Sequence, residues 1–206
     1  YNLKMVFTHF IGLATAIINN TYEKQEEKNI WDDCKWGNIC KLGIDAIGKT
    51  GVAIINAFCK KAGIENKIDG METKIWGDKW DGTIKEKTVE IKTARQDMNE
   101  SFQHEFNTTP WEADYIIFLD ISPKKMYITM FKNWSQEHWE KSGRDSKIKC
   151  GPCFPTRSVT WRDNCTGNFK FTTTVKINEV CPNTFIFDET QTDYSEFKEF
   201  VDKIIP

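Results

Sequence analysis

Three charged residues that lie close together in the sequence are its strongest candidates for chemistry: Asp81, Glu90 and Lys92. Two carboxylates hold a hard divalent cation such as Mg²⁺ through oxygen, and the ion keeps several of its waters. Such an ion polarises a phosphoryl oxygen and lowers the pKa of a bound water. A lysine beside it sets positive charge against the charge that develops in the transition state. The set is typical of phosphodiester hydrolysis.

A β-hairpin would bring these side chains together. The surrounding residues read as strand, turn and strand. With the turn at Glu86–Lys87, Asp81 lies opposite Lys92, and Thr83 lies opposite Glu90. Because side chains alternate between the two faces of a strand, the two acids and the lysine then project from one face, with apolar residues on the other. A one-residue change of register would separate them.

The same residues resemble the PD-(D/E)xK nuclease superfamily. Asp81 matches the first acidic residue and Glu90-Ile91-Lys92 matches the (D/E)xK strand, whereas Trp80 stands where proline is usual. The order of the surrounding elements is similar to that of type II restriction endonucleases. The resemblance implies a Mg²⁺-dependent, sequence-specific endonuclease of double-stranded DNA, in which Asp81 and Glu90 bind the metal and Lys92 assists the water. It also implies a homodimer that cuts a short palindrome, since two-fold symmetry mirrors a symmetric site.

Other polar residues compete for places in this site. Asp78 and Asp69 are rivals for the position of the first carboxylate, although Asp78 has the wrong parity in the simple register and needs a bulge. Gln103 and Glu105 either support the site or lie on a solvated helix face. His104 is either a base or, as is more common for a lone histidine, a structural residue.

The hydrophobic pattern predicts one α/β domain over residues 1–206, with a mixed central sheet flanked by helices, as in restriction endonucleases. Helices are predicted at residues 5–19, 43–62, 95–106, 134–141 and 195–204, with Gly63 as the C-cap glycine of the second. Strands are predicted at residues 126–131 and 172–177, beside the hairpin at 83–91. The continuous apolar run Tyr115–Leu119 predicts a strand buried on both faces.

A second motif favours a different activity. Residues Gly43–Thr50 match the phosphate-loop pattern G-x-x-x-x-G-K-[ST], in which Lys49 would hold nucleotide phosphates. Asp120, at the end of the apolar run, would then bind magnesium. The context argues against this function, because a phosphate loop must follow a buried strand and the preceding residues form a poor one. A helix interrupted at Gly48 is the plain alternative.

Four of the seven cysteines suggest a four-thiolate zinc site: Cys150, Cys153, Cys165 and Cys181. The first two have C-x-x-C spacing, whereas the later two are single and widely spaced. Unligated thiols, or a disulfide between Cys150 and Cys153, are the alternatives. The odd number of cysteines favours a reducing, cytoplasmic setting over a secreted disulfide framework.

Charge is distributed unevenly along the chain. Residues 141–176 hold eight basic and two acidic side chains, whereas residues 179–206 hold seven acidic and two basic ones. The basic, cysteine-containing segment at about 141–181 is therefore predicted to form a small DNA-contacting subdomain. Arg157 and Arg162 are candidate base readers, because arginine can fork onto guanine in the major groove. A solvated basic face is an equally good explanation for any one of these residues.

Composition narrows the classes of function. With 39% hydrophobic and 28% charged residues, the chain is not a disordered polymer, and its net charge of −2 excludes a globally basic coat protein. No run is apolar enough to predict a membrane span. Two alternatives stay open beside the nuclease: a non-catalytic DNA-binding module on the same fold, and a nucleotide hydrolase that uses the phosphate-loop motif.

Overall fold

The computed structural model of the chain describes residues 30–68, 80–106, 113–132, 158–161, 169–188 and 190–206. Its contacts divide the chain into two compact units, Tyr1–Gly37 and Asn38–Pro206. In the first unit, the described residues form turns such as the one closed by the hydrogen bond from Cys34 N–H to Trp31 O, 3.2 Å long. The helices predicted at 5–19 and 134–141 lie outside the described residues.

The described residues form α-helices and β-strands with the following bounds. The helices are α1 (Ile44–Lys61), α2 (Val175–Val180) and α3 (Ser195–Ile204), and a 3-10 helix at Gly37–Lys41 precedes α1. The strands are β1 (Asn66–Ile68), β2 (Gly82–Ile84), β3 (Lys87–Arg95), β4 (Ser101–Phe106), β5 (Tyr115–Ile121), β6 (Lys125–Lys132), β7 (Ser158–Trp161), β8 (Phe169–Thr174) and β9 (Thr184–Asp188).

The strands form two sheets. The central sheet has six strands in the order β1-β2-β3-β5-β6-β9, and the second has three in the order β4-β8-β7. In the central sheet β3 and β5 are parallel and every other neighbouring pair is antiparallel, so this sheet is mixed. The predicted α/β class with a mixed central sheet is confirmed. The three-stranded sheet is an addition that the sequence pattern does not predict.

The middle of the central sheet is fully buried. Every residue of β5 is buried, as its continuous apolar run predicts. Helices α1 and α3 cover one face of the sheet: the Phe58 ring of α1 lies 4.4 Å from Phe187 of β9 and 6.2 Å from Phe197 of α3, between ring centroids. Burial on this side raises the pKa of the Cys59 thiol to about 12.

The three-stranded sheet packs on the opposite face. Phe102 of β4 forms a buried cluster with Ala94 of β3 and Tyr127 of β6, and the rings of Phe102 and Tyr127 are 6.0 Å apart. All three side chains are at most 5% exposed. The central sheet is therefore covered by helices on one side and by a second sheet on the other.

Two helices follow the sequence pattern closely. The helix α1 ends as predicted, because Gly63 adopts a φ of 65° and its N–H donates to Lys60 O at 3.2 Å, while Ile64 N–H donates to Cys59 O at 2.8 Å. This pair of hydrogen bonds satisfies carbonyls that the helix end leaves open. The helix α3 spans the predicted residues 195–204.

The helix predicted at 95–106 is wrong. A turn occupies its first half, where the Asp97 carboxylate accepts hydrogen bonds from the N–H groups of Asn99 and Ser101 at 2.8 and 3.0 Å. Burial tends to raise the pKa of Asp97, but the 2.6 Å hydrogen bond from the Ser101 hydroxyl, together with these two backbone bonds, outweighs it and holds that pKa below its usual value. The chain then enters β4, in which buried Phe102 and His104 alternate with an exposed Gln103.

The strand predicted at 172–177 is correct only in its first half. The strand β8 ends at Thr174, whose hydroxyl accepts a hydrogen bond from Ile177 N–H at 3.2 Å. This N-cap bond starts α2, so residues 175–177 are helical.

The predicted hairpin register is shifted by two residues. The turn lies at Lys85 and Glu86, with φ values of 48° and 64°, and Thr83 pairs with Thr88 rather than with Glu90. Positive φ is unfavourable for residues other than glycine. Lys85 is held in this conformation by two hydrogen bonds, from its N–H to Glu65 O and from its ammonium group to Ile205 O. These tertiary bonds select a turn that the local sequence does not favour. Because the shift is even, the strands keep the same faces.

The packing of α1 against β3 gives a stability prediction. A methyl group on Gly51 would overlap the side chain of Thr93, whereas one on Gly48 would meet nothing within 4 Å. We expect Gly51→Ala to lower the free energy of unfolding by about 1–3 kcal/mol, measured by denaturant titration. The matched variant Gly48→Ala, in the same helix, is expected to be neutral or up to about 1 kcal/mol stabilising. Equal effects of the two variants would contradict this packing.

Candidate active site

Asp81 lies at the start of the hairpin and is bound to the neighbouring strand. Its N–H donates to Val89 O at 2.9 Å, and its Oδ2 accepts a hydrogen bond from Ile91 N–H at 2.7 Å. The carboxylate therefore lies beside the β3 backbone at the position between Glu90 and Lys92.

The residue after Asp81 has to be glycine. Gly82 has a φ of 152°, and a Cβ there would lie 2.5 Å from Lys67 O and 2.7 Å from the Cα of Ile68. Strand β1 thus passes too close for any side chain at this position. The close approach of β1 fixes the backbone that carries Asp81.

Glu90 and Lys92 form a partly buried ion pair on one face of β3. The Lys92 Nζ lies 2.6 Å from Glu90 Oε1, and the two side chains are 31% and 13% exposed, respectively. Such a partly exposed pair stabilises a fold by about 1 kcal/mol at most. Val89 and Ile91 point to the helix side and are buried, as the hairpin hypothesis predicts.

The sheet register identifies the neighbours of this pair. Glu90 is paired with Ile116 of β5, and Lys92 is paired with Phe118. Side chains at paired positions share a face, so Phe118 lies next to Lys92 on the side covered by the three-stranded sheet. Phe118 is fully buried, and the apolar wall that it forms lies beside the Lys92 position on this face.

A further carboxylate, Asp114, lies just before β5. Its Oδ2 accepts hydrogen bonds from the N–H and the hydroxyl of Thr88, each 2.9 Å long. Both bonds lower the pKa of Asp114 below its usual value, and the bond from the Thr88 backbone N–H has the larger effect. The sequence pattern places Asp114 only as the residue before the strand, and this contact joins β3 to the start of β5.

The Asp114 contact predicts a pH-dependent loss of stability. The bonds from Thr88 favour the ionised carboxylate, so their contribution is present above the ordinary aspartate pKa of about 4 and is lost as pH falls through the lowered pKa. Asp114 is exposed, so water screens its interactions, and we expect Asp114→Ala to lower the unfolding free energy by less than about 1 kcal/mol at pH 7 and by progressively less below pH 4. Urea titrations of both proteins across this range measure it. A difference that grows on acidification would contradict the assignment.

Four buried polar side chains form a cluster behind Phe118, and the sequence pattern does not predict it. They are His104 of β4, Asp120 of β5, Thr173 of β8 and Asn178 of α2, and each is at most 2% exposed. Two features of the sequence point to the cluster. One is a charged residue within the apolar strand β5, and the other is the alternation of buried and exposed side chains at residues 101–104. His104 is thus a buried residue between the sheets, and the helix face expected for Gln103 and Glu105 does not form.

Several predicted site residues lie outside the described residues. These are Asp69 and Asp78, the base-reading candidates Arg157 and Arg162, and the cysteines Cys150, Cys153 and Cys165. Cys181 is 7% exposed, just after α2. The zinc site therefore stays a prediction. Strand β7 lies in the chain between Arg157 and Arg162, and it pairs with β8.

The phosphate-loop segment is helical. Residues 44–50 form the first turns of α1, which continues without interruption through Gly48, and Lys49 is exposed on its surface. A phosphate loop needs backbone N–H groups that converge on the anion, whereas helical N–H groups bond within the helix. This geometry does not fit nucleotide binding by Gly43–Thr50.

The number and type of side chains in the hairpin that could bind a metal decide which metal ion the site fits. Within the ranges that the structure describes, no group of three or more His, Cys, Asp or Glu side chains is arranged to hold a metal. Asp81 supplies one carboxylate beside the β3 backbone at Ile91, and Glu90, the residue before Ile91, supplies a second. Such a pair fits a Mg²⁺ ion that keeps several waters, and it does not fit Zn²⁺, which takes three or more protein ligands.

No family model, no curated protein and no solved structure matches this chain. The resemblance to PD-(D/E)xK nucleases rests on the motif residues Asp81, Glu90 and Lys92. None of the helices in the described ranges has the length and apolar content needed to cross a membrane.

Proposed function

We propose that this chain is a Mg²⁺-dependent, sequence-specific endonuclease of double-stranded DNA, similar to type II restriction enzymes of the PD-(D/E)xK superfamily. The observation that carries the proposal is the 2.7 Å hydrogen bond from Ile91 N–H to Asp81 Oδ2. It holds one carboxylate against the strand segment whose flanking side chains are a second carboxylate and a lysine. The mixed sheet and its flanking helices are compatible with a restriction-endonuclease-like fold.

In this proposal Asp81 and Glu90 hold the metal ion. When bound, Mg²⁺ supplies a Lewis acid at the phosphoryl oxygen and a water of lowered pKa. Lys92 faces the scissile phosphate and orients the attacking water. Its ammonium already lies 2.6 Å from Glu90 Oε1, so its charge is positioned before the reaction begins.

The charge distribution supports DNA as the substrate. The basic segment 141–176 includes β7 and β8, which belong to the three-stranded sheet on the Glu90 side of the central sheet. Lysine and arginine in such a segment contact phosphates, and Arg157 and Arg162 are the proposed readers of bases. A homodimer is part of the proposal, because two copies cut both strands of a symmetric site. So is a cytoplasmic location, where the substrate DNA is found.

Plasmid cleavage tests the proposal. The purified protein is incubated with plasmid DNA and Mg²⁺, with a chelator as the control, and the ends of the products are sequenced. We expect discrete ends at one short sequence, and none with the chelator. DNA binding without cleavage in any divalent cation would favour the non-catalytic module, and nucleotide hydrolysis without DNA would favour the hydrolase.

A further inference from the structure

The four buried polar residues described above form a continuous chain of hydrogen bonds, here called the clasp. Asp120 accepts two of them: one from His104 Nε2 to its Oδ1 at 2.6 Å, and one from Asn178 Nδ2 to its Oδ2 at 2.7 Å. The Thr173 hydroxyl donates to Asn178 Oδ1 at 3.0 Å. The clasp thereby joins β5 of the central sheet to two strands of the three-stranded sheet, β4 and β8, and to α2.

Burying a carboxylate is costly unless donors surround it. An apolar residue at position 120 would avoid this cost, as the rest of β5 does. Directional hydrogen bonds between buried groups favour one geometry, whereas apolar surfaces can slide past each other. The clasp therefore fixes where the three-stranded sheet lies on the central sheet.

The clasp is connected to the catalytic face through one aromatic side chain. The His104 ring lies 4.7 Å from the Phe118 ring, between centroids, and Phe118 is paired with Lys92 across β3 and β5. Asp120 is two residues further along β5, where it is paired with Ala94. A shift of His104 would move the apolar wall beside Lys92.

We infer that the clasp positions Lys92 for the reaction, by holding the three-stranded sheet and the Phe118 wall at a fixed place on the catalytic face. The inference rests on the proposed nuclease function. The clasp residues are positioning residues, because they act through Phe118 and do not touch the substrate.

The first test compares two conservative variants. Thr173→Val removes the outer hydrogen bond of the clasp, and Ile55→Val removes a methylene from the buried side of α1, away from the clasp. The two variants are assayed at denaturant concentrations chosen so that both have the same free energy of unfolding. A difference in kcat between them then cannot come from a difference in stability. We expect Thr173→Val to lower kcat for DNA cleavage roughly tenfold or more with little change in KM, because small misplacements cost large factors in rate. Ile55→Val is expected to retain the wild-type kcat.

The second test uses a pH profile. Asn178→Asp sets a second carboxylate against Asp120, and two such groups at hydrogen-bond distance hold together only when they share a proton. Within the part of the chain that the structure describes, the titratable groups around Asp120 are His104 on β4, Tyr127 on β6 and, bonded to Tyr127, Glu179 on α2. Burial, followed by the charge of Glu179, raises the pKa of Tyr127 to about 12, so this tyrosine stays neutral in the assay. We expect kcat and Tm of the variant to fall as pH rises from 5 to 8 and to recover on acidification, relative to wild type.

The outcomes separate this inference from the proposed function. Cleavage by the wild-type chain, with Thr173→Val and Ile55→Val equal in kcat, overturns the inference alone. A wild-type pH profile in Asn178→Asp overturns it as well, and if that variant does not fold at pH 5, the Thr173→Val comparison decides. Absence of cleavage by the wild-type chain overturns the proposed function. Hydrogen exchange in β4 and β8 then still reports whether the clasp holds the sheets together.

Discussion

Replacing Glu90 with glutamine is expected to abolish DNA cleavage and to leave DNA binding nearly unchanged. Glutamine keeps the size of the side chain but removes the charge that the proposed metal ion requires. The loss of one preorganised electrostatic group costs about 10²–10³-fold in rate, and loss of the ion itself costs more. DNA affinity rests mainly on phosphate contacts elsewhere, so we expect it to change by about threefold at most.

Single-turnover cleavage and a DNA-binding titration measure these two effects separately. The control is Glu86→Gln, which makes the same chemical change at the exposed turn of the same hairpin. It is expected to cleave at the wild-type rate. Full activity of Glu90→Gln would show that Glu90 is not part of the active site. Equal losses of activity in both variants would show that the substitutions disturb the hairpin structure rather than the catalytic step.

The second large effect is expected for Lys92→Ala. Its charge acts mainly in the transition state, so its loss should lower the cleavage rate by about 10²-fold. The affinity for DNA should change far less. Lys87→Ala, on the exposed start of the same strand, is the matched control and is expected to be nearly silent.

Lys49 separates the nuclease from the nucleotide hydrolase. In the nuclease account Lys49 is an exposed residue of α1, and Lys49→Ala has only small effects on stability. In the hydrolase account it holds the phosphates, so its loss removes activity while Lys92 is a bystander. An inactive Lys49→Ala together with a fully active Lys92→Ala would contradict the nuclease.

The sequence was sufficient for the parts of the fold that are specified locally. The helix α1 has a buried stripe and a glycine at its end, and β5 has an uninterrupted apolar run. The shared face of Glu90 and Lys92 does not depend on the register, because both lie on one strand two residues apart. Asp81 lies before β2, and its carboxylate accepts the Ile91 N–H of β3. The turn itself depends on contacts of Lys85 with residues far away in the chain, which no local pattern contains.

The second sheet is where local reasoning fails. Residues 101–106 have no strong strand propensity, and they become a strand by pairing with β8, far along the chain. The clasp needs His104, Asp120 and Asn178 to meet across three elements, so it is visible only once these elements are packed. A buried aspartate in an apolar strand was the available signal, and the phosphate-loop hypothesis assigned it to magnesium.

Asp81→Asn provides the most direct test of the central claim, that the Asp81 carboxylate serves chemistry. The alternative role of Asp81 is structural, since its Oδ2 accepts the hydrogen bond from Ile91 N–H. Asparagine keeps an oxygen for that bond and removes the charge. Single-turnover cleavage in Mg²⁺ by this variant, measured beside its Tm, separates the two roles. We predict a rate loss of about 10²-fold or more with an unchanged Tm; cleavage at the wild-type rate would contradict the account.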